Sequence, residues 1–94
     1  MKDILAEKYI TEIASNMLDD SDLDAAKWIA NYMFMATQAS QSFANTHNPE
    51  DLKDFQAYNK QALELFNAQT KKGTNSVALS NAVQTQYDIY MGEV

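Results

Sequence analysis

The chain is 94 residues long, contains no cysteine and carries a formal net charge of −6 at pH 7. The missing cysteines exclude disulfides and thiolate metal ligands, and all seven basic residues are lysines, so no guanidinium is present to bind phosphate or guanine in bidentate fashion. Because an acidic surface repels a phosphate backbone, we expect no direct contact with nucleic acid.

Sparse glycine and proline, together with apolar residues spaced three and four apart, predict four helices in one domain of residues 1–94. The first predicted helix covers about residues 3–18. It has an apolar residue at every fourth position, namely Leu5, Tyr9, Ile13 and Met17. An acidic stretch follows, in which Ser21 and Asp24 resemble a capping box for the next helix.

The second predicted helix, about residues 22–45, is the longest and the most apolar. Its broad stripe of predicted core residues contains Trp28, Ile29, Tyr32, Met35, Ala36, Ala39 and Phe43. Phe34 falls instead among the polar residues of the opposite face. Because an exposed large apolar side chain can mark a contact site, Phe34 is a candidate interface residue.

The pair Asn48-Pro49 is the clearest helix boundary in the sequence. Asparagine suits the N-cap, and proline suits the first helical position because that residue has no intrahelical donor to lose. The third predicted helix then runs to about Thr70, with an apolar face made of Leu52, Phe55, Tyr58, Ala62, Leu63 and Phe66. Asn59 lies inside this stripe, either as a buried residue that fixes helix register or as an edge residue in water.

The third predicted helix ends at Lys71, Lys72 and Gly73, since lysines complement the negative helix end and glycine tolerates a positive φ. A shorter fourth helix, about residues 75–91, presents Leu79, Ala82, Val83, Tyr87 and Tyr90. Short connections favour antiparallel neighbours. The sequence therefore predicts an all-α bundle, either up-down or built on a long central hairpin of the second and third helices with two outer helices.

No group of residues predicts catalysis. The single histidine, His47, lies in a predicted loop, where a solvated side chain is usual, and no serine has a nucleophile-elbow pattern. Three aspartates alternate as at the start of a calcium loop: Asp20, Asp22 and Asp24. Such a loop needs glycine and glutamate where this chain has Ala25 and Asn31, so helix capping and solvation explain the acids better. We therefore expect no enzyme, no metal site and no cofactor.

The third predicted helix carries short motifs at fixed spacings: Asn48-Pro49, Leu52, Phe55-Gln56 and Asn67-Ala68-Gln69-Thr70. In these motifs residues 48–70, about a quarter of the chain, resemble the needle-subunit family of type III secretion systems. The resemblance implies a helical hairpin that polymerises, with Gln56, Asn67 and Gln69 bonding between subunits. Alternatively, these three are ordinary boundary residues of one amphipathic helix. Needle subunits end soon after this motif, whereas this chain continues into a fourth helix that would occlude the polymerisation surface.

The sequence predicts a non-enzymatic helical protein that acts by binding a protein partner or by self-association. One alternative is a structural or filament-like subunit of a secretion system. The other is a small acidic inhibitor, immunity protein or chaperone, phage-encoded ones included, that occupies a basic site on a partner. The candidate interface residues are Phe34, Gln56, Asn59, Asn67 and Gln69.

The location of the protein is also predicted from the distribution of apolar residues. No run approaches the roughly 20 apolar residues that span a bilayer. The charged N-terminal sequence lacks the continuous apolar stretch of a secretory signal. We therefore expect a cytoplasmic protein, or one that is exported without a cleaved signal peptide.

Overall fold

The computed structural model describes residues 18–92, which form three α-helices and, within that range, no strand. Helix α1 spans Asp20–Thr46, α2 spans Pro49–Lys71 and α3 spans Ser76–Met91. These bounds confirm the all-α class and lie within two residues of the last three predicted helices. The first predicted helix lies outside the described residues except for its last position, Leu18, which precedes α1 and is not helical.

Helix α1 begins with a capping box made of two aspartates. The side chain of Asp19 accepts a hydrogen bond from the backbone N–H of Asp22 at 2.8 Å. In return, the Asp22 carboxylate accepts one from the backbone N–H of Asp19 at 3.1 Å. The predicted capping box at Ser21 and Asp24 was therefore wrong, since the observed box lies two residues earlier in the chain. A short aspartate side chain occupies both positions of the observed box.

Side chains on both sides of the turn tie α1 to α2. Asn48 caps α2, as predicted, by accepting a hydrogen bond from the backbone N–H of Glu50 at 3.0 Å. The Asp51 carboxylate accepts hydrogen bonds from the Ser42 hydroxyl at 2.8 Å and from the Thr46 hydroxyl at 2.9 Å. Because these partners come from the end of α1 and the start of α2, the two helices form the predicted antiparallel hairpin.

Helix α1 is the central helix, since α2 and α3 each pack along it and make few contacts with each other. Among residues 18–92, the central cluster of buried apolar side chains consists of Ala26, Ile29, Ala30, Ala62, Leu79 and Val83. Three of these six are alanines, which allow the helix backbones to approach closely. Leu79 is the largest side chain that is fully buried among the described residues. The core of this part of the chain is therefore narrow.

Several large apolar side chains lie where the sequence pattern does not place them. Trp28, Leu52 and Leu63 were predicted to be buried, but they are 59%, 41% and 61% exposed. Phe34 was predicted to lie on a polar face, but it is half-buried, with its ring centroid 6.0 Å from that of Tyr90. The cause is the same in both cases: which side of a helix is covered depends on where its neighbours pack, and α3 covers a side of α1 that looked polar.

Candidate interaction groove

An open apolar groove lies between α2 and α3, where these two helices make few contacts with each other. Helix α1 forms its floor through Ile29 and Met33. The walls are formed by Asn59, Ala62, Leu63 and Phe66 from α2 and by Ser80, Val83 and Gln84 from α3. The groove has a volume of about 300 Å³. It is therefore built by all three helices rather than by one surface residue.

The lining of the groove changes from apolar at the floor to mixed at the rim. Ile29, Ala62 and Val83 are buried, whereas Leu63 stands at the rim with 61% of its surface exposed. The polar lining residues are amides and a hydroxyl, and none of the nine lining residues is charged. This surface suits an apolar segment whose polar groups remain in water.

The size of the groove matches a short stretch of α-helix. The α2 wall runs from Asn59 to Phe66, about two turns or 10 Å of helix. Helices α2 and α3 flank α1 as neighbours do in a bundle, with the fourth position left open. Bundle helices pack with their axes about 8–10 Å apart, so a further helix laid over Ile29 and Met33 would contact all three existing ones.

A polar cluster centred on Asp22 holds the helices together beyond one end of the groove. The carboxylate of Asp22, which is only 8% exposed, accepts hydrogen bonds from the Gln69 amide at 2.7 Å and from the Thr74 hydroxyl at 2.6 Å. Hydrogen bonds from Thr74, Gln69 and the Asp19 backbone lower the pKa of Asp22 from 3.8 to about 2, against the opposing effect of burial. The cluster thus links the start of α1, the end of α2 and the turn before α3.

Two of the predicted interface residues belong to the groove or to the polar cluster at Asp22. Asn59 is exposed at the rim of the groove, which favours the edge position over the buried one. Gln69 is 8% exposed and donates a hydrogen bond to Asp22 within the chain. A glutamine near the end of an apolar stripe becomes buried here because a carboxylate from another helix accepts its hydrogen bond.

The other three predicted interface residues lie outside the groove. Gln56 and Asn67 are exposed on α2, and Phe34 packs against Tyr90 of α3. The groove therefore contains only Asn59 of the five predicted positions. The sequence pattern assigned Leu63 to the core, so its place on the surface was missed. The apolar face of α2 that contains Leu63 is too wide for one neighbouring helix to cover, and this width was already a sign that part of the face is exposed.

The chain was also compared with protein-family models, with curated proteins and with solved structures, and no match was found. The resemblance of residues 48–70 to needle subunits therefore stays a prediction. No helix among residues 18–92 is both long enough and apolar enough to cross a bilayer. In the same range, no group of three or more histidine, aspartate or glutamate side chains is arranged to hold a metal ion.

Proposed function

We propose that the protein is a helical interaction module whose groove receives an amphipathic α-helix of a partner protein. The observation that carries the proposal is the open groove itself, with buried Ile29 in its floor and exposed Leu63 at its rim. A contiguous apolar depression with polar residues at its rim is typical of surfaces that bind protein segments. Grooves of this kind hold a helix through a few apolar anchors spaced three and four residues apart.

The charge of the protein favours a partner helix with lysine or arginine on its flanks. Residues 18–92 contain nine carboxylates and five lysines, while the groove lining is uncharged. The apolar face of the partner would enter the groove, and its basic flanks would face an acidic surface. Such attraction speeds association and weakens as salt concentration rises.

This proposal follows the second alternative from the sequence, an acidic inhibitor or chaperone that binds a basic site. The filament alternative depends on three polar side chains that would bond between subunits. One of them, Gln69, is already bonded to Asp22 within the chain and is buried. We therefore propose a discrete helix-binding protein rather than a filament subunit.

The proposal is tested with a fluorescently labelled 18-residue peptide of leucine and lysine, arranged so that all leucines share one helical face. A peptide of the same composition in scrambled order is its control. The 94-residue protein is compared with its Leu63→Asp and Ile89→Asp variants by fluorescence anisotropy. Leu63 and Ile89 are 61% and 51% exposed, but only Leu63 lines the groove, and both substitutions add the same charge.

We expect the wild-type protein and Ile89→Asp to bind the amphipathic peptide more tightly than the scrambled one. Leu63→Asp should weaken that binding by at least about tenfold, or 1.4 kcal/mol. Circular dichroism should show unchanged helix content in both variants, because both side chains are mostly exposed. Equal affinities of the two variants for the amphipathic peptide would mean that the groove is not the binding surface.

A further inference from the structure

Charge is distributed unequally over the two walls of the groove. The lining stretch of α2, residues 59–66, contains Lys60 and Glu64, so that wall carries one charge of each sign. Helix α3 carries a single charged residue, Asp88, and residues 73–94 contain no basic residue. A cation on a helix bound in the groove is therefore attracted to the α3 wall more than to the α2 wall.

We infer that Asp88 and Gln84 together receive a lysine or arginine side chain of the helix that binds in the groove. This inference rests on the proposed function, and it adds the position at which the basic flank of the partner makes contact. Its basis is the pairing of these two side chains, the end of α3 at which they lie, and the lack of a basic residue in that helix.

The side chains of Gln84 and Asp88 are paired at the wall of the groove. Gln84 lines the groove, and its side-chain nitrogen donates a hydrogen bond to a carboxylate oxygen of Asp88 at 2.8 Å. Because an ionised carboxylate only accepts, the amide must use its nitrogen here, which leaves its oxygen as an acceptor beside the carboxylate. Gln84 is exposed and Asp88 is partly exposed. Lysine and arginine side chains only donate, so either one matches a pair that presents acceptors.

Asp88 lies at the end of α3, where a negative charge is unfavourable for the helix itself. It is in the last turn, and its carbonyl oxygen accepts a hydrogen bond from the backbone N–H of Gly92. The C-terminal end of a helix carries a partial negative charge, which repels a carboxylate and attracts a cation. Helix α2 has Lys71 in its last turn, whereas α3 has no basic residue there. A basic side chain of a partner would therefore interact favourably with both the carboxylate and the helix end.

The contact lies at the end of the groove that is far from Asp22. Thr74, just before α3, bonds to Asp22 at the start of α1, and the Tyr87 hydroxyl lies 2.8 Å from that of Thr37 further along α1. Helix α3 therefore runs in the same direction as α1. Thr37 is one turn, about 6 Å, beyond the floor residue Met33. Since the Asp22 carboxylate is buried and bonded within the chain, the partner's cation meets an accessible carboxylate at the other end of the α3 wall.

Charge reversal in the 94-residue protein tests the contact. The test variant is Asp88→Lys. The matched control, Asp24→Lys, makes the same charge change at an exposed residue of α1 that lies about 180° around that helix from Met33. Each protein is titrated by fluorescence anisotropy with the labelled leucine-lysine peptide and with a leucine-glutamate peptide of the same pattern. Circular dichroism compares the helix content of the two variants.

We expect Asp88→Lys to bind the leucine-lysine peptide at least about threefold more weakly than Asp24→Lys does, because the reversal replaces a surface ion pair with a repulsion. For the leucine-glutamate peptide the order of the two affinities should reverse. Both differences should shrink in roughly 0.5 M sodium chloride, since salt screens exposed charges.

Two results would overturn the inference. One is equal affinity of Asp88→Lys and Asp24→Lys for the leucine-lysine peptide at low salt. The other is weaker binding of both peptides by Asp88→Lys than by Asp24→Lys, because a charge contact must act in opposite directions on lysine and glutamate.

Comparison with the Leu63→Asp variant separates this inference from the proposed function. If Leu63→Asp weakens binding of the leucine-lysine peptide relative to Ile89→Asp, while Asp88→Lys and Asp24→Lys bind it equally, the groove is the binding surface and only the inference fails. If Leu63→Asp and Ile89→Asp bind it equally, the proposed function fails, and the inference fails with it.

Discussion

The polar cluster at Asp22 and the apolar groove both join α1 and α2, the cluster together with the turn before α3 and the groove together with α3 itself. They differ in how completely their groups are satisfied. In the cluster, Asp22 accepts hydrogen bonds from Gln69, Thr74 and the backbone of Asp19. Every buried polar side-chain atom among the described residues has a partner. In the groove, by contrast, Leu63 leaves most of its apolar surface in water.

This contrast separates the residues that stabilise the fold from the residues of the proposed binding surface, although both sets lie on the same three helices. A buried polar group without a partner costs free energy, so a completed cluster holds its helices in one arrangement. Exposed apolar surface costs free energy as well, but that cost is recovered when another molecule covers it. Substitutions in the cluster and core should therefore change unfolding, whereas substitutions at the groove rim should change binding.

The largest effect on stability is expected when a leucine is replaced by alanine at a buried position, compared with the same replacement at an exposed one. Leu79→Ala should lower the free energy of unfolding by about 2–5 kcal/mol, because Leu79 is fully buried and its truncation leaves a cavity. Leu63→Ala should lower it by less than about 1 kcal/mol, since that side chain is mostly exposed. Urea denaturation followed by circular dichroism measures both. Similar losses in the two variants would remove the distinction between core and groove rim.

An intermediate effect on stability is expected when a buried glutamine of α2 is replaced by alanine, compared with the same replacement at an exposed glutamine. Gln69→Ala should lower the free energy of unfolding by about 1–3 kcal/mol, because it takes a donor away from the buried Asp22 carboxylate. Gln61→Ala removes the same side chain from an exposed position and should change stability by less than about 0.5 kcal/mol. The same denaturation experiment compares them. A loss at Gln61 as large as that at Gln69 would show that helix composition, not the cluster, sets the effect.

Part of the fold could be predicted from the sequence because it depends on residues that are close together in the chain. The Asn48-Pro49 boundary depends on residues that are adjacent in the chain, and its cap forms as predicted. The positive φ of Gly73, at 107°, likewise confirms a local signal at the end of α2. Helix ends are set within a few residues of chain, so a single sequence contains the information that specifies them.

The groove and the cluster depend instead on residues that are distant in sequence. Asp22 and Gln69 are 47 positions apart, and nothing local to either residue indicates the other. Leu63 is apolar and falls on an amphipathic stripe, so it reads as core until the positions of α1 and α3 are known. The exposure of Trp28 has the same origin, because a helix pattern shows that a face is apolar but not which neighbour covers it.

The smallest expected effect is a change in the pH dependence of stability, which tests the role of the Asp22 cluster. Hydrogen bonds lower the pKa of folded Asp22 to about 2 from its ordinary value of 3.8. Between these values the unfolded chain binds more protons than the folded one at this site, so the stabilising contribution is complete above about pH 4 and is lost as the pH falls towards 2. The wild-type protein and Asp22→Asn should therefore differ most in urea midpoint near neutral pH and converge as the solution is acidified. Parallel curves from pH 6 to pH 2 would mean that another carboxylate causes the acid sensitivity, and that the hydrogen bonds from Gln69 and Thr74 do not depend on the charge of Asp22.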